Sequence, residues 1–281
     1  MATIEKEISI VEKEISLVYE IDTYRYIKSP EEQIENRIQY KVKKTFIHKD
    51  EIGYLFSLEI LERKQSSEDE ILYLEDQLAL LQKNLTIYTN KNGEVISIVN
   101  LGEITDEWYE QKKVLQKDLK DIFNDIDTVI EGIDLILNDP SEFLNMVKKS
   151  EVVMLLFPPI YNNDLLYNDH IEQSQVLYDF FDTTALPFKM STKLIAINEN
   201  NGGYQIARSG DLDNTKFDIQ NATKVMSTLF NVHSYNITIE ATCFEAYDLA
   251  KDNTIDEASI LMNVEIPGIY SYRQISKLKK I

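Results

Sequence analysis

One apolar stripe constrains this chain more than any other feature of it. Between Asp106 and Leu137, the residues Trp108, Leu115, Leu119, Ile122, Ile126, Val129, Ile133 and Ile136 recur at alternating three- and four-residue steps, interrupted only by Lys112. That spacing puts them along one side of an α-helix. At about 1.5 Å per residue the helix would run roughly 48 Å, enough to cover a sheet or to project as a coiled-coil arm. Thr105 is the expected N-cap, with Asp106 and Glu107 in the first turn, where the helix dipole favours acidic groups.

The flanks read as sheet. Ile15, Leu17, Tyr19 and Ile21 share one strand face, and Tyr24 and Tyr26 then carry the large side chains on the other, which predicts a bulge or a change of partner near Asp22. Ile38, Tyr40, Val42 and Phe46 alternate with Arg37, Gln39, Lys41, Lys43 and Thr45, and Tyr54, Phe56, Leu58 and Ile60 answer them after a turn at Lys49–Gly53. This predicts a long antiparallel hairpin with one wet face. Ser67 and Glu70 have capping-box spacing ahead of a short helix through Leu81. A second hairpin follows, Leu85–Asn90 with Glu94–Val99, its Asn92-Gly93 pair suited to a type I′ turn.

Beyond the stripe, Asp139-Pro140 with Glu142 predicts a helix start that buries Phe143, Leu144 and Val147. Val152–Phe157 fits either a continuation of that helix or a buried strand, and residues 162–184 fit a broken helix or lid. Strands resume after Pro187, with a turn through Asn198–Gly203. Ala222, Val225, Met226, Leu229 and Phe230 form a short amphipathic helix. Ile237–Cys243, Ala258–Ile266 and Ile269–Ile275 read as the last strands.

The fold class expected is therefore α+β: curved antiparallel sheet in two β-rich flanks, packed around a long central amphipathic helix and a helical middle. The divisions are 1–104, 105–184 and 185–281, taken as one integrated domain. In layout alone this resembles the open-barrel carriers of lipids and lipoproteins, in which a curved sheet holds an apolar ligand against helices. No specific motif carries that resemblance.

The 281 residues include a single cysteine, Cys243, so no intramolecular disulfide holds the fold, which favours a cytoplasmic protein. No signal-like h-region opens the chain and no apolar run approaches a membrane span, although a leader removed beforehand would allow a periplasmic or exported protein. The formal charge of -19 disfavours nucleic acid and anionic membrane surfaces and favours a basic protein partner. Between Glu151 and Tyr270 there are 17 acidic and 6 basic side chains.

Chemical motifs are missing. His48, His170 and His233 lie outside metal-ligand spacing of one another, and no H-E-x-x-H, C-x-x-C, EF-hand, G-x-S-x-G or phosphate-cradling loop occurs. The carboxylates Asp118, Asp121, Asp125, Asp127, Glu131 and Asp134 read as a solvated helix face, and Cys243 as a small buried apolar group. The expectation is a protein without catalytic residues, metal or cofactor. Sixteen tyrosines on an acidic chain suit a protein-binding module of adaptor, chaperone or immunity type. Asp211, Asp213 and Asp218, on a segment expected to be irregular and exposed, are the candidate partner-binding residues. Arg273, Lys277, Lys279 and Lys280 read as a solvated basic tail. The alternative is a carrier of a lipid or other apolar ligand between sheet and helices.

Overall fold

Two-residue alternation dominates both flanks, and each strand it builds pairs antiparallel with its neighbour. The structure, a computed structural model, describes residues 10, 15–66, 70–120, 123, 125–161, 170–181, 184–198, 202–230 and 237–281. The N-terminal flank supplies β1 (Ser16–Lys28), β2 (Gln33–Lys49), β3 (Gly53–Gln65), β4 (Asn84–Asn90) and β5 (Val95–Ile98). The C-terminal flank supplies β6 (Ile171–Phe181), β7 (Thr184–Ile197), β8 (Tyr204–Leu212), β9 (Glu240–Leu249), β10 (Ile255–Ile266) and β11 (Tyr270–Lys280). They form one sheet in the order β5-β4-β3-β2-β1-β11-β10-β9-β8-β7-β6, because the first strand pairs with the last from Tyr19↔Lys280 to Lys28↔Ser271. Each flank is thus a meander of neighbours in sequence, and the chain ends meet in the middle of the sheet. The sheet is not closed; β5 and β6 are its edges.

The helices are α1 (Glu70–Leu78), continued by a 3₁₀ turn at Ala79–Gln82, then α2 (Leu101–Leu119), α3 (Ile126–Asn138), α4 (Pro140–Lys148) and α5 (Glu151–Leu156), with α6 (Ile219–Phe230) in the second flank. The stretch from α2 to α5 bridges the two edges: α4 touches both β5 and β6, and α5 packs on β10 and β11. One face of the sheet, including Tyr19, Ile38, Leu58, Ile87, Phe188, Tyr204, Tyr247 and Ile260, is buried in a single core with Trp108, Ile126, Phe143, Val147, Leu155 and Leu156 of the helices. At about 25 cal/mol per Å² of apolar surface, that shared core is the main force holding helices to sheet.

The central stripe does not lie on one long helix. α2 ends at Leu119 and α3 begins at Ile126, with Asp125 at the N-cap position but without a side-chain capping bond, and the two run side by side as a helical hairpin. Its register is visible in cross-links: Trp108 Nε1 donates to Asp134 at 2.7 Å, Lys112 Nζ pairs with the same carboxylate at 2.7 Å, and Gln116 donates to Asp127 at 2.5 Å. Trp108, Leu119, Ile126 and Ile133 are nonetheless buried, with Leu115, Val129 and Ile136 packed against the same core; Ile122 lies outside the described residues. Nor is the acidic row simply a solvated face. Burial tends to raise the Asp134 pKa, but Lys112 and Trp108 outweigh it and hold the carboxyl below its usual value.

Other departures have local causes. α2 starts at Asn100 rather than Thr105, whose hydroxyl donates instead to the Leu101 carbonyl. The Asn90–Glu94 turn is not type I′: Gly93 takes φ +93° but Asn92 does not take a positive φ, and Gly93 N bonds Asn90 O. This is a turn followed by a glycine bulge. β1 has no bulge at Asp22; its register holds against both neighbours, and the buried face continues through Thr23 and the inward Arg25. Val152–Leu156 is helical, with Ser150 accepting from Val153 N. Ile171–Phe181, expected within a broken helix or lid, is the edge strand β6. The Asp139 cap, accepting from Ser141 N and Glu142 N, is as the sequence predicts. Ser67 of the expected capping box lies outside the described residues.

Candidate functional site

The edges β5 and β6 border one cleft of about 500 Å³. Such a volume falls within the range of small-molecule sites. Glu94 and Val95 come from the β5 side, Val176 and Leu177 from β6, Val153, Met154 and Phe157 from α5 and its end, and Arg208 and Glu245 from the sheet between. The walls are therefore mixed, with Val95, Val153, Met154, Phe157, Val176 and Leu177 set among Asn92, Glu94, Lys148, Gln173 and Gln175, and the floor is ionic. Contacts from the helical stretch brace both sides: Lys148 pairs with Glu94 at 3.0 Å, Tyr161 N bonds Asn92 O at 3.1 Å, and Gln173 Nε2 bonds Pro159 O at 3.4 Å.

The floor is a fully partnered network. Arg208, 2% exposed, donates to Glu245, to Thr192 at 3.3 Å and to Gln175 at 3.1 Å, and Tyr247 donates to Glu245 at 2.9 Å. Burial pushes the Arg208 guanidinium down in pKa, but Glu245 outweighs it and the net shift is upward. Cys243 is 2% exposed beside Glu245, and burial pushes its thiol well above the usual range, the opposite of what a nucleophile needs. A second network lies under α1 and α5. Arg25 bonds Glu75 at 2.6 Å and Glu151 at 2.9 Å, and Tyr40 donates to Glu151 at 2.8 Å. Burial raises the pKa of Glu151, yet Arg25 and Tyr40 more than offset this and its carboxyl stays below the usual value.

Lys44 of β2 stands apart from these ion-paired groups. Its strand neighbours in register are Leu17 and Leu58, so it occupies a position in an otherwise apolar row. Its Nζ donates to the Leu156 carbonyl at 2.6 Å and lies 4.1 Å from the centroid of Phe157 and 4.7 Å from that of Phe56. Among the described residues no carboxylate pairs with it, and burial alone lowers its pKa to about 7. The sequence signal was parity: Lys44 falls between Val42 and Phe46 on the buried side of the alternation.

The residues expected to meet a basic partner are placed differently. Asp211 is exposed on β8, opposite Lys189 and Thr242. Asp213 accepts from Thr215 N at 3.1 Å and its hydroxyl at 2.6 Å, and the Thr215 hydroxyl is the main cause of its lowered pKa. Asp218 accepts from Asn221 N at 2.9 Å at the start of α6. The latter two shape the local backbone, a role that calls for no partner. Nor is the basic end a tail: Arg273, Lys277, Lys279 and Lys280 belong to β11 at the centre of the sheet, Lys279 pairing with Glu257 at 3.5 Å and Lys280 with Asp256.

No protein-family model matches the chain, and no curated protein matches it. Among solved structures, one reported as lipid–protein interactions in lipovitellin superposes with a TM-score of 0.52 at 10% sequence identity. The likeness is one of fold. It covers 97% of this chain and 25% of the lipovitellin chain, so this protein spans about a quarter of that chain's length. A large open antiparallel sheet backed by helices is what the two share. Among the described residues, no helix is long and apolar enough to cross a membrane.

Proposed function

We propose that this chain carries an apolar or amphipathic ligand in the cleft between its two sheet edges. The observation behind the reading is the cleft itself: apolar side chains from both edges and from α5 face one another across about 500 Å³. Two unpaired edges that approached without a spacer would simply hydrogen-bond and close a barrel. Here the helical stretch separates them and leaves room for a guest. The fold shared with lipovitellin, whose structure was reported for its lipid–protein interactions, supports the same reading. The acidic protein-binding alternative has the net charge of -19 and the sixteen tyrosines in its favour.

Organic extraction of the natively purified protein followed by mass spectrometry tests the proposal. A lipid recovered near stoichiometry, and displacement by it of an environment-sensitive apolar dye, is the expected result. Absence of bound lipid together with no dye uptake by the delipidated protein overturns it. A salt titration separates the two readings, because association with a basic protein slows as charge is screened within a Debye length near 10 Å at 0.1 M, whereas uptake of a neutral apolar ligand does not.

A further inference from the structure

We propose that Lys44 is the head-group site of the carrier, and that the ligand it selects is a long-chain carboxylate. The proposal rests on the carrier reading and adds to it the chemistry of the ligand's polar end. A small cavity of about 40 Å³ adjoins Lys44, lined by Leu17, Tyr19, Phe46, Phe56, Tyr161 and Ile255 among others, and among the described residues Lys44 is the only charged side chain in its wall. That space accepts a head group of a few atoms rather than a whole chain. Lys44 retains partial contact with solvent, which leaves an entry path.

An ammonium surrounded by apolar groups without a counter-ion is costly, and proteins ordinarily pair it or neutralise it. Three arginines of the sheet whose side chains are largely buried are all paired: Arg25 of β1 with Glu75 and Glu151, Arg63 of β3 with Asp76, and Arg208 of β8 with Glu245. Lys44 has one carbonyl and two aromatic faces, all of which favour its charged form but supply no net negative charge. A carboxylate arriving with the ligand completes the set. Phosphate monoesters fit less well, since a dianion would leave excess negative charge beside a single cation.

Phe157 ties this site to the cleft. Its ring contacts Lys44 and packs edge-on against Phe56 at 5.5 Å, and the same residue lines the cleft between the sheet edges. One side chain thus touches both the ammonium and the cleft. Among the described residues, the titratable groups that line the head site beside Lys44 are the hydroxyls of Tyr19 and Tyr161, which burial holds above their usual range. Asp252 and Asp256 act on Tyr19 but are engaged by Thr254 and Lys280, and neither moves Lys44.

Competition against an apolar dye, using palmitate and hexadecanol at pH 6.5, provides the test. Palmitate should bind the wild-type protein roughly tenfold or more tightly than the alcohol, the least that a desolvated charge pair supplies. Lys44→Met should abolish that preference. Equal binding of acid and alcohol by the wild type overturns the head-group assignment but leaves the carrier reading intact, whereas binding of neither overturns both. A preference that persists in a folded Lys44→Met variant also overturns it. If that variant does not fold, NMR of reductively ¹³C-methylated wild-type protein decides: the Lys44 signal should titrate at higher pH with palmitate than with hexadecanol, and an unmoved titration refutes the assignment.

Discussion

Lys44→Met is a stability experiment as well as a binding one. In the unfolded chain the lysine titrates near 10.5; in the fold, burial lowers its pKa to about 7. Above the unfolded value the side chain is neutral in both states and costs nothing. As pH falls from 10.5 the unfolded state takes up the proton first, so stability declines until the folded group also protonates near pH 7 and is level below that. Between pH 9 and pH 6 this amounts to about 2.7 kcal/mol at 1.36 kcal/mol per unit, and discounting for the partial exposure of Lys44 leaves ~1–2 kcal/mol. Methionine has nearly the same reach and no charge, so Lys44→Met should gain that amount on the wild type as pH is lowered from 9 to 6. Loss of the bond to the Leu156 carbonyl costs about 1 kcal/mol but does so at every pH, so it cancels in the difference. Urea denaturation of both proteins, without ligand, at pH 6, 7, 8 and 9 measures it. A stability difference that stays flat across that range would refute the account of Lys44 as a buried, unpaired cation.

Two further perturbations probe the frame around the cleft. Arg208→Ala should destabilise by ~3–5 kcal/mol, because it leaves Glu245 charged and 2% exposed, whereas replacing both members by apolar residues should recover much of the loss; chemical denaturation of the single and double variants checks this. Ile126→Ala, at a position 1% exposed where α3 meets the core, should cost ~2–5 kcal/mol in the same assay, and a change below about 0.5 kcal/mol would place the side chain outside the core.

Periodicity made much of this legible. Strands whose apolar residues recur at every second position, such as Ile38 to Phe46 with Lys44 as the exception and Ala258 to Ile266, declare both their extent and their buried face, since one residue of slip would turn the inward apolar groups to water. The Asp139 cap needed only adjacent residues, because its bonds go to Ser141 and Glu142. Edge strand β6 was obscured because Ile171–Phe181 mixes exposed, partly buried and buried positions without a clean period. The break between α2 and α3 was hidden for the opposite reason: the apolar spacing stays nearly in phase across a turn that reverses the chain.

The candidate site was the least legible part, for a physical reason. Local sequence determines which face of a strand is apolar, where helices are capped and how one strand turns back on its neighbour, since each of these is settled by contacts a few residues apart. Only the tertiary structure decides that β1 and β11 join two meanders into one sheet, across about 250 residues of chain, because such pairing depends on long-range burial rather than on any turn. The same holds for bringing β5 and β6 to a common cleft and for setting Lys44 of β2 against Leu156 and Phe157. A lysine at an inward position is visible in the sequence, but the absence of a partner carboxylate is a property of everything packed around it.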